Sequence, residues 1–508
     1  MKKVRIIFLL LLFMMACDGR HTKLKYEKSR TRQAGGLAND AGKDIVVDIQ
    51  ENTYITGVFS SSAQFGADTL RSAGAEDIFV AKYSNTGEMQ WAVNAGGLHA
   101  DAGHAIAVDA SGRIGIAGSA QGERTPALLS TTLPPSSDDD IFVARYDTDG
   151  KQLWRVLAGG AGSDKGTDVA FDSAGNCFVT GFFQGEAKFN KADVHAVILN
   201  SAGQSDCFVA KYDADGRLLW VRSAGGTAAD TALGIAVDHF GNCFVTGVFQ
   251  DSAIFGMGQP NVATLKSAGA GDAFVAQYDA EGNFRWARRL GGVQHDRGKS
   301  LVSDARRNLY VVGDFSVTAH FDSDTLTLTS VGEEDIFLAR YDSAGALQWA
   351  RSAGGRTRDL GESVTVGQNG IIYVSGEFSG TAKFDKHELA CDDKLDFFVA
   401  EYDDFGQVLA ARRGGASGVR PGVRHALAGS GRSLFTGSFV GETSFGDTTL
   451  NSENASADVF AVTALATGGV PVKDLCATAV SNTDILLTWK DSSDDEKGFR
   501  IIRRRQGN

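Results

Sequence analysis

Two sets of aspartates are the residues of this chain whose type and spacing could most readily do chemistry. Asp40, Asp101, Asp164, Asp230, Asp296 and Asp359 each stand four residues after a Gly-Gly pair, with Val419 at the seventh such place. Asp77, Asp140, Asp206, Asp272, Asp335, Asp396 and Asp458 each open a strand-like run of the Asp-Ile-Phe-Val-Ala kind. Recurring carboxylates can hold a hard divalent cation, hydrogen-bond a sugar or a protein segment, or accept from the N–H groups of their own turns. A set present in all seven units is read as a folding feature, so the second set is structural. The first set is the candidate ligand or cation face, with turn capping as the competing reading. The metal, if there is one, stays unknown; calcium is the divalent cation considered, and no other cofactor is expected.

Other chemistry is weakly marked. His99, His104, His195, His239, His295, His320, His387 and His425 do not recur at equivalent places, so neither a zinc site nor a catalytic triad is supported. No catalytic residue is assigned. Besides Cys17, the cysteines are Cys177, Cys207, Cys243, Cys391 and Cys476, an odd number without close pairing. They read as small buried hydrophobes. The chain carries a formal charge of −12. That argues against nucleic acid, whose binders present basic surfaces.

The elements that must position these residues follow from a period. Gly-Gly pairs at 35–36, 96–97, 159–160, 225–226, 291–292, 354–355 and 414–415 are 60 to 66 residues apart and mark seven repeats. Each repeat holds four short runs of strand character separated by turn residues, as in Ala105–Val108, Ile114–Gly118, Asp140–Tyr146 and Gln152–Trp154. Trp91, Trp154, Trp220, Trp286 and Trp349 each follow a turn glycine by four residues, with Ala410 at the sixth place, and are read as packing between sheets. The fold class is therefore all-β: a seven-bladed β-propeller of four-stranded antiparallel blades, spanning 24–468, with repeats starting near 35, 96, 159, 225, 291, 354 and 414. The seventh repeat has no fourth strand of its own. Residues 24–34 are expected to close that last blade and cover its edge. Strand alternation puts both aspartate sets on one face. The loops between second and third strands vary most in length and lie on the same face, where ligand loops are expected.

The ends differ from the repeats. Residues 1–16 read as a signal peptide, with Lys2, Lys3 and Arg5 before an apolar run, which leaves −15 from Cys17 onward once those three positive charges are removed. The Met14-Met15-Ala16-Cys17 junction resembles a bacterial lipobox, which implies lipidation of Cys17, a tether over 17–23 and anchoring at a membrane. The repeats resemble the bacterial seven-bladed β-propeller repeat family, often called SBBP repeats, through Asp-Ile-Phe-Val-Ala-Lys-Tyr (77–83), Gly-Asn-Cys-Phe-Val-Thr-Gly (175–181) and Gly-Lys-Gln-Leu-Trp (150–154). That resemblance implies an exported or surface protein and brings no settled reaction. Residues 470–508, with Ile485-Leu486-Leu487-Thr488-Trp489, resemble the first half of a fibronectin type III domain, too short for a whole sandwich.

Turns such as Asp147-Thr148-Asp149-Gly150 also resemble sialidase Asp-boxes, the tryptophan-docking turns of quinoprotein dehydrogenases and calcium loops. A plain hairpin turn with a capping aspartate accounts for them more simply. The expected function is thus a non-enzymatic binding or scaffolding protein, lipid-anchored on the periplasmic or outer side of a bacterial envelope. Its partner would be a protein or an envelope glycan. The alternative is a carbohydrate-active hydrolase or lyase with acidic residues at the propeller axis.

Overall fold

A computed structural model describes residues 2–5, 23–122, 138–190, 196–321, 326–391, 395–415, 418–452, 456–465, 473–479 and 485–490. The chain divides into two units, His21–Leu465 and the two termini, Met1–Arg20 with Ala466–Asn508. Helix among the described residues amounts to one 3-10 turn, Lys28–Arg30.

The third repeat shows why this sequence folds as it does. Lys165–Phe171 pairs antiparallel with Cys177–Phe183, that strand with Asp206–Tyr212, and that one with Leu218–Ala224. The third strand, Asp-Cys-Phe-Val-Ala-Lys-Tyr, is buried along its whole length. An unbroken apolar run suits a strand packed on both faces, and here both faces meet neighbouring sheets. The core between the third and fourth repeats joins Phe178, Val209 and Trp220 of one to Ile235, Val245 and Phe274 of the next.

The same four-strand order recurs through the first six repeats. Their innermost strands are Ala41–Val47, Asp101–Val108, Lys165–Phe171, Thr231–Val237, Arg297–Ser303 and Asp359–Val366, and Arg424–Leu427 opens the seventh. Each touches the next, and the last touches the first. The fold is that of a β-propeller.

In the seventh set, Arg424–Leu427 pairs with Arg432–Val440 and that with Ala457–Leu465. The fourth place is taken from the other end of the chain: Arg32–Gly36 runs antiparallel to Ala457–Leu465, with Arg32 opposite Ala461 and Ala34 opposite Val459. Side chains repeat the pattern of an outer strand. Arg32 Nε donates to Gly87 O at 2.6 Å, as Arg222 Nε donates to Gly282 O at 2.9 Å.

The variable loops are used differently from the expectation. Where described, they form hairpins that grip the preceding sheet. Glu186–Phe189 pairs with Val197–Asn200 and also with Gly159–Gly160 of the outer strand before it. Thr381–Phe384 does the same with Gly354–Gly355. The second glycine of the first, third, fourth, fifth and sixth pairs is required by this approach: a Cβ on Gly160 would lie 1.7 Å from Glu186 O, and one on Gly226 1.8 Å from Ser252 O. The corresponding segment of the second repeat, 123–137, lies outside the described residues.

In the other unit, Lys473–Ala479 pairs antiparallel with Ile485–Lys490, which pairs with Lys2–Arg5. Cys17, the rest of the expected signal peptide and most of the fibronectin-like segment lie outside the described residues.

Candidate functional site

The first aspartate set is sunk into the junctions between sheets. Asp40, Asp101, Asp164, Asp230, Asp296 and Asp359 are no more than 1% exposed. Each Oδ2 accepts the N–H of the second glycine four residues back, at 2.8 Å in Gly36–Asp40, 2.7 Å in Gly226–Asp230 and 2.6 Å in Gly355–Asp359. In five of the six Oδ1 accepts an N–H twenty residues ahead, as from Ser60 at 3.0 Å, Gln184 at 2.9 Å and Gln250 at 3.1 Å, whereas Asp359 Oδ1 is buried without a hydrogen-bond partner. Those five carboxylates tie the Gly-Gly turn to the far end of the next second strand. This corrects the expectation of a solvent-facing ligand or cation face, because a carboxylate with two backbone donors and no exposed surface has nothing to offer a ligand.

Burial has an electrostatic cost at these places. It pushes Asp40, Asp230, Asp296 and Asp359 up to about 7, with a neighbouring aspartate adding to the rise and the backbone N–H groups opposing it.

The second set lies against the same turns. Asp77, Asp206, Asp272 and Asp335 each accept an N–H four residues back, from Ala73, Ala202, Ala268 and Val331 at 2.9 to 3.1 Å. Asp140 is buried like the rest, Asp458 accepts from Gln33, and Asp396 accepts from Gly415 N. Among the described residues no group of three or more histidine, cysteine or acidic side chains is placed to hold a metal ion.

The tryptophans join one repeat to the next. Trp91 Nε1 donates to Thr148 O, Trp154 to Ala214 O, Trp220 to Ala280 O and Trp349 to Asp404 O, at 2.9 to 3.1 Å. Trp286 packs on the turn glycine Gly345, with its Nε1 buried and making no hydrogen bond. These are the third-to-fourth-strand turns of the following repeat. Asp147 Oδ1 accepts from Asp149 N and Lys151 N within such a turn, and Gly150 takes φ +82, which suits glycine.

What the sequence reading missed is the inner edge of the ring. The register shifts by one residue three places after each first-set aspartate, and the bulged residues are Lys43, His104, Thr167, Leu233, Lys299 and Glu362. Lys299 pairs with Glu362 at 2.6 Å, and Arg424 reaches Glu362 at 2.9 Å from the other side. Arg297 bridges Asp314 at 2.8 Å and Glu334 at 2.9 Å. Asp44 accepts Ile106 N at 2.8 Å and Asp168 accepts Ile235 N at 2.7 Å, so both latch their own innermost strand to the following one.

Burial opposes the charge of Arg424, and the carboxylates Glu362, Asp44, Asp168 and Glu377 outweigh it, so four side chains from four other strands converge on one cation. A signal for this rim was present in the chain: the third residue after each first-set aspartate changes type while the residue before it is glycine in five of the six and alanine in the other. The rim offers ion pairs and hydrogen-bonding groups for recognition, without a nucleophile aligned to a base.

No family model matches the chain. An uncharacterised WD repeat-containing protein of Acanthamoeba polyphaga mimivirus is 24% identical over 443 residues, covering 72% of this chain and 32% of the relative. The regulatory protein FlaEY of Caulobacter vibrioides is 34% identical over 111 residues, covering 22% and 12%. The chain thus spans a third or less of either relative. Among solved structures, the quinohemoprotein alcohol dehydrogenase of Comamonas testosteroni is 9% identical at a TM-score of 0.40, covering 88% of this chain and 78% of that one. The polysaccharide lyase Uly1 is 10% identical at 0.41, covering 89% and 94%, and the Pan2 WD40 domain of Neurospora crassa 10% at 0.31, covering 69% and 94%.

Proposed function

We propose that this chain is a non-enzymatic binding and scaffolding protein of the SBBP-repeat kind: a seven-bladed β-propeller held at a bacterial envelope by a lipidated Cys17, with the tail as the start of a fibronectin type III-like module. The observation that carries the reading is the fate of the repeated carboxylates, which are consumed in joining one sheet to the next. The charged inner rim is then the surface left for recognition, of a protein segment or an envelope glycan. The WD-repeat relative points the same way.

The carbohydrate-active alternative needs two carboxylates that reach a sugar and a water molecule. The closely set pairs in this chain are buried, which weighs against it.

The test uses the mature chain from Cys17 with a panel of envelope glycans and peptidoglycan fragments. Saturable binding without turnover is expected, weakened by Lys43→Glu on the rim; turnover of any glycan would overturn the reading. For the anchor, metabolic labelling with palmitate is expected in the wild type and absent in Cys17→Ser. Equal labelling of the two would end that part.

A further inference from the structure

At the junction of the third and fourth repeats two carboxyl groups from different sheets meet over one glycine. A Cβ on Gly225 would lie 2.6 Å from Asp206 Oδ1 and 2.9 Å from Asp230 Oδ2. Asp230 is provided for, since its oxygens accept from Gly226 N and Gln250 N. Asp206 is provided for on one side only: Oδ2 accepts from Ala202 N, while Oδ1 is fully buried with no hydrogen-bond partner. The junction of the fifth and sixth repeats pairs Asp335 with Asp359. Asp335 Oδ2 accepts from Val331 N and Asp359 Oδ2 from Gly355 N, while Asp335 Oδ1 and Asp359 Oδ1 are both buried and unpartnered.

Two adjacent buried carboxylates repel, and a buried oxygen without a donor is costly. One proton removes both difficulties. It turns the unpartnered oxygen into a donor, and the neighbouring carboxylate, already fixed by two backbone amides at Asp230, is the acceptor beside it. We infer that each of these two junctions holds one proton shared between its carboxyl groups, Asp206 with Asp230 and Asp335 with Asp359, so that the ring tightens in acid and loosens in base. Loss of the proton to solvent leaves two charged carboxylates facing each other across the glycine.

The surroundings agree. Asp206 is subject to burial and to Ala202 N–H, and Asp335 to burial and to the N–H groups of Val331 and Gly355. Asp230 is subject first to burial and also to Asp206 and Asp251, and Asp359 to burial and to Asp335. The Cys207 thiol beside the first pair is itself pushed well up by burial and by both aspartates. Burial raises Asp206 and Asp335 to about 6 and their partners to about 7. Folded values above the unfolded range of about 4 mean a contribution fully present below pH 4 and lost as pH rises through 6 to 7. At Asp272 burial also raises the carboxyl group, and Arg289, 3.1 Å from its Oδ2, opposes that rise.

The experiment is thermal unfolding of the full chain between pH 5.5 and 8.5. The wild type is expected to melt lower as pH rises. In an Asp206→Asn, Asp335→Asn double variant the amide donates at every pH, so that fall should become shallower, Asp40 and Asp296 keeping their part of it, and the variant should outlast the wild type at pH 8.5. Asp230→Asn puts an amide nitrogen against a backbone N–H and should melt lower throughout. A flat wild-type profile would overturn the inference, as would an Asn double variant that is no more stable than wild type at pH 8.5. Stabilisation by calcium at pH 8.5, reversed by a chelator, would also overturn it, because a cation would then stand where the proton is placed. Should the variants not fold, the infrared carbonyl band of a protonated carboxyl group decides on the wild type: present in the folded protein at pH 6 and lost at pH 9 if the inference holds, absent at both if it does not.

Discussion

The junction between the third and fourth repeats and the seam running from the sixth repeat through the seventh to the first join similar sheets by different means. In the regular junction Trp220 docks on Gly282, Arg222 caps the same turn, and Asp230 ties the Gly-Gly turn to Gln250. On one side of the seam Ala410 stands in the tryptophan place and Val419 in the aspartate place. The seventh repeat has no third-to-fourth-strand turn, because its outer strand comes from the amino terminus, so a tryptophan there would have nothing to dock on. Asp396 takes over Gly415 N, and Glu377 accepts from the N–H groups of Gly422 and Val423.

On the other side of the seam the regular plan returns. Arg30 lies on Gly87, Arg32 caps that turn, and Asp40 accepts from Gly36 N and Ser60 N. Glu51 adds a brace, accepting from Ser430 N at 2.7 Å and pairing with Arg432 at 2.9 Å, at φ +64 where most equivalent turns carry glycine. The difference teaches that the repeat motif encodes contacts to a following turn, and that it lapses where the chain supplies none.

The comparison can be broken most severely by deleting residues 23–36. This removes the outer strand of the last sheet and exposes the Ala457–Leu465 edge. Thermal melting should fall by far more than the few degrees that about 1 kcal/mol produces; a small shift would mean the seam does not close the ring.

Next in size, Trp220→Ala should cost roughly 3 kcal/mol in denaturant unfolding, as expected for a buried aromatic removed from a core. Ala410→Trp should give no matching gain, and a clear gain would show that the sixth junction only lacks its anchor.

A smaller loss, about 2 kcal/mol, is expected for Glu377→Ala, which leaves two amides without an acceptor. The smallest effect belongs to Glu51→Gly: relief of a left-handed backbone offsets the lost brace, and the net change should stay within about 1 kcal/mol by the same measurement.

Much of the architecture was legible because it depends on residues near in the chain. The apolar run of Asp206–Tyr212 predicts a strand buried on both faces, and the Asp147–Gly150 turn predicts a capping aspartate before a left-handed glycine. The site was less legible. Asp230 looks the same in sequence whether it faces a ligand or a backbone amide, and only the position of Gln250, twenty residues on, distinguishes the two. The rim residues Lys299, Glu362 and Arg424 come from three repeats and meet only when the innermost strands are brought together.

What the sequence by itself determined is therefore the repeat: its period, its strand types and its turns, set by local sterics and by alternation of apolar residues. The tertiary structure alone decided that the first recurring set of carboxylates is buried like the second, and that charge collects on the inner edge of the ring. The physical reason is range. A strand pattern is a property of adjacent residues, whereas the partner of a side chain, a proton or an ion pair is chosen by groups from other sheets, once packing has excluded water and made every unpaired polar atom costly.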